Sequence, residues 1–495
     1  MSPLRQKNIN YAFETDSDVE NCGFLSLWLT SCAFLLGLVA ISSKERWLLP
    51  LFFATAYAVV LYTYLRAIRM WRDAMNPLCL VLTIATLRFF VPGLMFLSGA
   101  EPPDEVGSLF HLMQLSDDEW LWGHTLALVG ILAVAMGWLL IQPRGTSEKP
   151  LKFHLSAGLQ YASLAAMLVG FMALFAFFSM NASVGAILSG SFRATTVQVG
   201  TGKYFFLSYL LIVGSVLLCC YLLTKGFRWY ALVPVGVSML AYWPLGGRGR
   251  AVISVVGGFI LLWYSDREWK GWSKLTVRPV HLLTVPLIVL FILLVFYVGS
   301  HYRGDPDQRA VSAELSITGL WLYLKGAVYT DLGQLHSLAG AIAIGPAVLG
   351  GQTFMGSLSW PLSAFVPIPG RSAGVFIVET LQGFTDDQKW GVNATLIGDA
   401  YLNFGLWGVP IVMGIYGALL KLIYVKFREG VIHSAIYALV IVYGMQMLWG
   451  SIEIWSQALT ILCFAFAVIL FGNTVFNLHS ETYRSGLAQN RGYLQ

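Results

Sequence analysis

The sequence predicts an all-α polytopic membrane protein, and three observations carry that prediction. Hydrophobic residues make up 57% of the 495 positions and charged residues only 12%, a balance that places the chain outside the water-soluble class. The apolar residues gather into runs of bilayer-crossing length, about 20 helical residues each. Lysine and arginine collect in every second short connection, as expected of a chain that threads a membrane repeatedly.

The apolar runs fall at 23–42, 47–66, 77–99, 120–141, 158–180, 204–224, 229–246, 251–264, 281–299, 404–424, 434–449 and 455–472, about twelve in all. The eighth is short, and Trp263 and Tyr264 close it with interfacial side chains. Cations at Arg5 and Lys7, Arg66 to Arg72, Arg144 to Lys152, Lys225 and Arg228, Arg267 to Arg278, and Lys426 and Arg428 mark the cytoplasmic connections. Both termini are therefore expected inside, and the acidic connection from Ala100 to Glu119 outside. The polar, acid-bearing stretch Met1 to Asn21 is unlike a cleaved signal peptide. The six cysteines (Cys22, Cys32, Cys79, Cys219, Cys220, Cys463) lie in or beside apolar runs, at spacings that form neither a zinc site nor a disulfide framework. A net charge of +5, scattered through short loops, excludes nucleic acid as a partner.

One connection breaks the pattern of short loops. Residues 300–403 form a long outer segment between helices 1–9 (1–299) and the last three helices with their tail (404–495), all within one integrated domain. A connection of that length is where function should reside. Its stretch Leu315 to Gly351 is apolar but interrupted by Lys325, Asp331 and His336, which predicts helices lying on or re-entering the membrane, with two conventional spans as the alternative that preserves the topology on either side. Irregular backbone at that depth must line protein or a wet cavity.

The outer side collects arginines against the usual charge bias: Arg193, Arg248, Arg250, Arg303, Arg309 and Arg371. Gly246-Gly247-Arg248-Gly249-Arg250 is the sharpest of these. Its glycines let the backbone approach an anion, and its guanidinium forks match phosphate. The competing reading is an interfacial anchor that snorkels to headgroups. If the anion is a departing diphosphate, fixed arginines meet its charge without a metal, so no metal and no cofactor is expected. An attacking hydroxyl also needs a base. His336, in a half-buried apolar stretch, is the first candidate and Asp399, which opens the tenth helix, the second; a capped helix histidine and a helix-start carboxylate are their bland counterparts. Asp305-Pro306-Asp307 reads more simply as a turn, and no H-E-x-x-H, P-loop or G-x-S-x-G is present.

The string Gly398-Asp399-Ala400-Tyr401-Leu402-Asn403-Phe404-Gly405-Leu406-Trp407-Gly408, taken with the Gly-x-Arg-Gly element and the single large outer loop, resembles the bacterial oligosaccharide repeat-unit polymerases, the Wzy-type O-antigen polymerases. The resemblance implies a GT-C-like architecture in the inner membrane with a periplasmic active site. It implies transfer of a glycan from undecaprenyl pyrophosphate to a second lipid-linked repeat unit, giving O-antigen, capsule or exopolysaccharide. Donor and acceptor lipids, membrane lipid and a chain-length-regulating copolymerase are the partners it implies. Arg248 and Arg250 inherit the role of meeting the pyrophosphate, and Arg371 matches a Pro-Arg segment of the long loop; the string assigns Asp399 no role. An O-antigen ligase is the runner-up: His336-Ser337 begins its motif, but Ala347 stands where the first downstream glycine belongs. A lipid-linked glycan transporter or flippase would show charges near mid-bilayer in paired, interrupted helices, and here the unusual charges crowd one rim.

Overall fold

The computed structural model describes residues 16–71, 76–99, 115–141, 157–181, 202–225, 230–242, 256–258, 260–261, 334–359, 373–382, 394–426, 431–452, 456, 460 and 463–475. All regular structure among them is helical. In chain order the helices are α1 (Asp16–Ser43), α2 (Leu49–Trp71), α3 (Pro77–Ala85), α4 (Val91–Leu97), α5 (Asp117–Leu140), α6 (Ala157–Asn181), α7 (Gly202–Thr224), α8 (Val233–Tyr242), α9 (Leu335–Ile344), α10 (Gln352–Ser359), α11 (Ala373–Gln382), α12 (Leu396–Lys426) and α13 (Val431–Trp449). A further helix covers Cys463–Val475.

Among the described residues, seven stretches are long and apolar enough to cross a bilayer: Phe24–Ser43, Arg46–Ala67, Pro77–Leu97, Asp117–Leu140, Gly158–Asn181, Lys203–Leu223 and Leu396–Val425. They coincide with seven of the twelve expected runs. The expected span at 229–246 is a shorter helix, Tyr230–Tyr242, and the one at 434–449 lies within α13. The run at 281–299, most of 251–264 and both chain termini lie outside the described residues. α12 starts at Leu396, ahead of the apolar run at 404–424, with Asp399 in its first turn as expected.

The bundle is organised around α5, 83% of whose span is buried, against 39% for the spans of α1 and α6. Its start is fixed locally. Ser116 accepts from the Glu119 amide while the Glu119 side chain accepts from the Ser116 amide, a capping box that fills two orphan donors. Asp118, on the same turn, pairs with Arg46 at 2.5 Å. Both residues are exposed, so the pair contributes little energy, but it sets the turn after α1 beside the head of α5.

Sequence spacing decides which face of α5 receives partners. Gly123, Gly130 and Gly137 recur every seventh residue and so share one face. A Cβ on Gly123 would stand 2.8 Å from the Ala339 nitrogen of α9, one on Gly130 2.8 Å from Ile397 of α12, and one on Gly137 1.9 Å from the Gly414 carbonyl oxygen of α12. Gly417 is as tight against the Val134 backbone. Between helices in lipid, where burial of apolar surface supplies no driving force, such backbone-to-backbone approach is the main source of packing energy. Contacts that advance together along both helices, Gly130 with Ile397, Val134 with Gly417 and Trp138 with Lys421 and Tyr424, give α5 and α12 a parallel course. Elsewhere α6 and α7 run antiparallel through Gly170 against Leu211 and Gly214 against Ser163 and Met167.

A leucine at position 137 should push α12 away from α5. Gly137→Leu is expected to lose about 1–3 kcal/mol or more of packing energy, read as a lowered melting temperature and polydispersity in detergent. Gly236→Ala, whose added methyl would meet nothing within 4 Å, should leave both unchanged.

Candidate functional site

Two breaks in helical geometry define the site. Within the third span, Thr86–Phe90 forms a π-helical turn, and Pro92 follows on the first turn of α4. Proline has no N–H to give the carbonyl four residues earlier, that of Arg88. That carbonyl instead accepts from the amide of Gln334, at 2.9 Å, just before α9. The second break lies in α12, where Gly405 adopts φ 70° and ψ −162°. Residue 405 is glycine because this backbone is barred to side chains. The break frees the carbonyls of Tyr401 and Leu402, which accept from the amides of Ala347 and Leu349 at 3.0 and 2.9 Å. The turn 345–351 that presents these amides takes positive φ at Gly345, Ala347, Gly350 and Gly351. Irregular backbone is tolerated at this depth because each break finds its partner in another segment.

At the head of α12 sits a polar knot. Thr395 is itself strained, with φ 54°; its Oγ1 accepts from the Gly398 amide at 3.0 Å and so caps the helix. Asp399 is completely buried. Its Oδ1 accepts from the Thr353 hydroxyl at 2.5 Å and from Asn403 Nδ2 at 2.8 Å, and its Oδ2 accepts from the Ile452 amide at 3.2 Å. Asn403 Nδ2 also donates to Thr353 Oγ1 at 2.6 Å, and the Thr353 amide donates to Asn403 Oδ1 at 3.3 Å. These contacts tie α10, α12 and the turn after α13 to one carboxyl group.

The other expected base, His336, is buried on the first turn of α9. Gly398 packs against Leu338 and Ala341, so the helix carrying His336 lies against the turn carrying Asp399. Among the arginines expected to meet phosphate, Arg193, Arg248, Arg250, Arg303 and Arg371 all lie outside the described residues. Arg88 was not anticipated. A half-buried cation within an apolar span, with proline four residues on, is a signal the sequence does hold. Thr353 was also missed, because nothing local marks a threonine as partner to a carboxylate 46 residues later.

All three of these donors point hydrogen at the Asp399 carboxyl group, so an amide there would set its NH2 against a donor in either orientation. Asp399→Asn is therefore expected to cost about 2 kcal/mol, although it is isosteric, and Thr353→Val about 1 kcal/mol; thermal unfolding in detergent checks both. Equal stability of Asp399→Asn and the parent would show that the knot does not hold these helices.

Residues 353–453 match the family model described as "Putative O-antigen polymerase". The match spans about a fifth of the chain, and its limits coincide with the knot, from Thr353 at one end to the turn holding Ile452 at the other. No curated protein and no solved structure matches the chain. Over the segment that closes on Asp399, the chain is similar to the O-antigen polymerase family, the resemblance that its Gly398-to-Gly408 string indicates.

Proposed function

We propose that this protein polymerises oligosaccharide repeat units carried on undecaprenyl pyrophosphate, at the periplasmic face of the bacterial inner membrane. The observation that supports it best is the coincidence of the family match with the knot that joins α10, α12 and the turn after α13. The long membrane spans suit a substrate whose anchor is a polyprenyl chain.

In this reading the acceptor hydroxyl attacks the anomeric carbon of the donor glycan. The new bond is carbon to acceptor oxygen, the broken one is anomeric carbon to phosphate oxygen, and the pyrophosphate leaves with the bonding pair. His336 takes the hydroxyl proton, at a site where burial among α9 and its neighbours excludes bulk water. Arg193, Arg248, Arg250, Arg303 and Arg371 are assigned to the departing charge, where preorganised donors outweigh solvent. Asp399 contributes by position: its oxygens tie the head of α12 to α10 and the turn after α13, while the neighbouring Gly398 packs on the helix that carries His336.

Purified protein incubated with a lipid-pyrophosphate repeat unit, without partner proteins, should yield a ladder of products on a gel. A single block added to lipid A core would identify a ligase, and flipping of labelled lipid without product a transporter. His336→Ala should lower polymer formation by about 10²–10⁴-fold with an unchanged melting temperature. An active His336→Ala variant would remove the histidine from the mechanism.

A further inference from the structure

Arg88 occupies the middle of the third span, Pro77–Leu97, half-buried in an otherwise apolar helix. An ionisable side chain at such depth is costly and marks a ligand or ion path. It stands on a π-helical turn, a distortion that recurs at functional sites. The carbonyl of the same residue holds the amide of Gln334, two positions before His336. The π turn and the first turn of α9 are thus one structural unit, although 246 positions separate Arg88 from Gln334 in sequence.

The α9 side of that unit has bonding capacity to spare. Gln334 is 4% exposed and Ser337 is fully buried, yet Gln334 Oε1 and Ser337 Oγ make no hydrogen bond. A buried polar atom without a partner is destabilising and calls for an explanation. Their chemistry says what would satisfy them. An amide oxygen accepts and cannot serve phosphate, which also accepts; it suits a hydroxyl, and a serine hydroxyl can join the same array. The residue whose carbonyl meets Gln334 is an arginine, and a guanidinium suits the phosphate.

We propose that Arg88 and the first turn of α9 form a binding site for the phosphate–sugar junction of a lipid-linked glycosyl diphosphate. Arg88 holds a phosphate oxygen, and Gln334 and Ser337 take hydroxyls of the first sugar, beside His336. Because the two acceptors are closed off, the sugar enters as the first turn of α9 shifts against the π turn. The inference rests on the polymerase reading for the identity of the ligand class. It places a cation in the middle of a span, where a diphosphate already partly withdrawn from water binds a fork most strongly.

The test uses full-length protein in neutral-lipid nanodiscs and three probes: undecaprenyl diphosphate, undecaprenyl diphosphate carrying one N-acetylhexosamine, and phosphatidylglycerol. Arg88→Gln should weaken both diphosphate probes about tenfold or more, the worth of a charge-assisted hydrogen bond. Gln334→Leu should weaken only the sugar-bearing probe. Unchanged affinities overturn the site, and phosphatidylglycerol competing as well as the diphosphates reduces Arg88 to a headgroup anchor and also overturns it. If Arg88→Gln does not fold, the wild-type protein suffices: undecaprenyl diphosphate should protect Arg88 from phenylglyoxal, read by mass spectrometry, and absence of protection sinks the proposal. Wild-type protein that makes a ladder without protecting Arg88 would reject this site alone, whereas wild-type protein that binds no lipid diphosphate would reject the polymerase reading itself.

Discussion

Inside a bilayer an unpaired peptide group has no water to fall back on, and that constraint governs the functional half of this molecule. The third span is interrupted before Pro92 and α12 is interrupted at Gly405. Both interruptions are repaired by a single stretch of chain: the amides of Gln334, Ala347 and Leu349 reach the carbonyls of Arg88, Tyr401 and Leu402. Residues 334–349 are thus the common partner of two broken helices. Their position follows from hydrogen-bond satisfaction as much as from apolar packing, and it is what carries His336 into the bundle.

The glycine face of α5 makes that arrangement sterically feasible. Gly123 admits the backbone of α9, and Gly130 and Gly137 admit α12. With α9 and α12 both seated on one helix, Leu338 and Ala341 meet Gly398, and the knot at Asp399 closes the assembly from the far side. The apolar contacts bring the helices near one another. The polar contacts fix their register, because Thr353, Asn403 and Ile452 reach the carboxyl group together at only one setting.

Much of this was legible in the chain. Hydropathy and the placement of cations locate the long spans, because membrane thickness and loop charge act on each segment by itself. The short helix at His336 lies in a stretch where apolar residues are interrupted by polar ones. The Gly398-to-Gly408 string marks the head of α12, and both His336 and Asp399 fall where helices meet. What could not be read is whatever depends on distant partners. Asp399 reads as a helix-start carboxylate, and only the fold shows that Thr353 and Ile452 consume its acceptors. Arg88 reads as one more cation until Gln334 is seen on its carbonyl. The helix extends ahead of the apolar run at 404–424 because its polar first turns, with Asp399 and Asn403, are buried through their contacts with Thr353 and Ile452.

The Asp399 knot also imposes an order on biogenesis. Its Oδ2 waits for the amide of Ile452, more than fifty positions further along the nascent chain, while Thr353 has long since left the ribosome. A carboxylate threaded into the bilayer with Thr353 and Asn403 but without its last donor is incompletely neutralised, which favours holding α12 at the translocon until the hairpin with α13 has been made. Closure of the Asp399 knot is thereby coupled to completion of the C-terminal hairpin, and a polypeptide arrested before that point would be exposed to membrane quality control rather than released with its last helices unlocked.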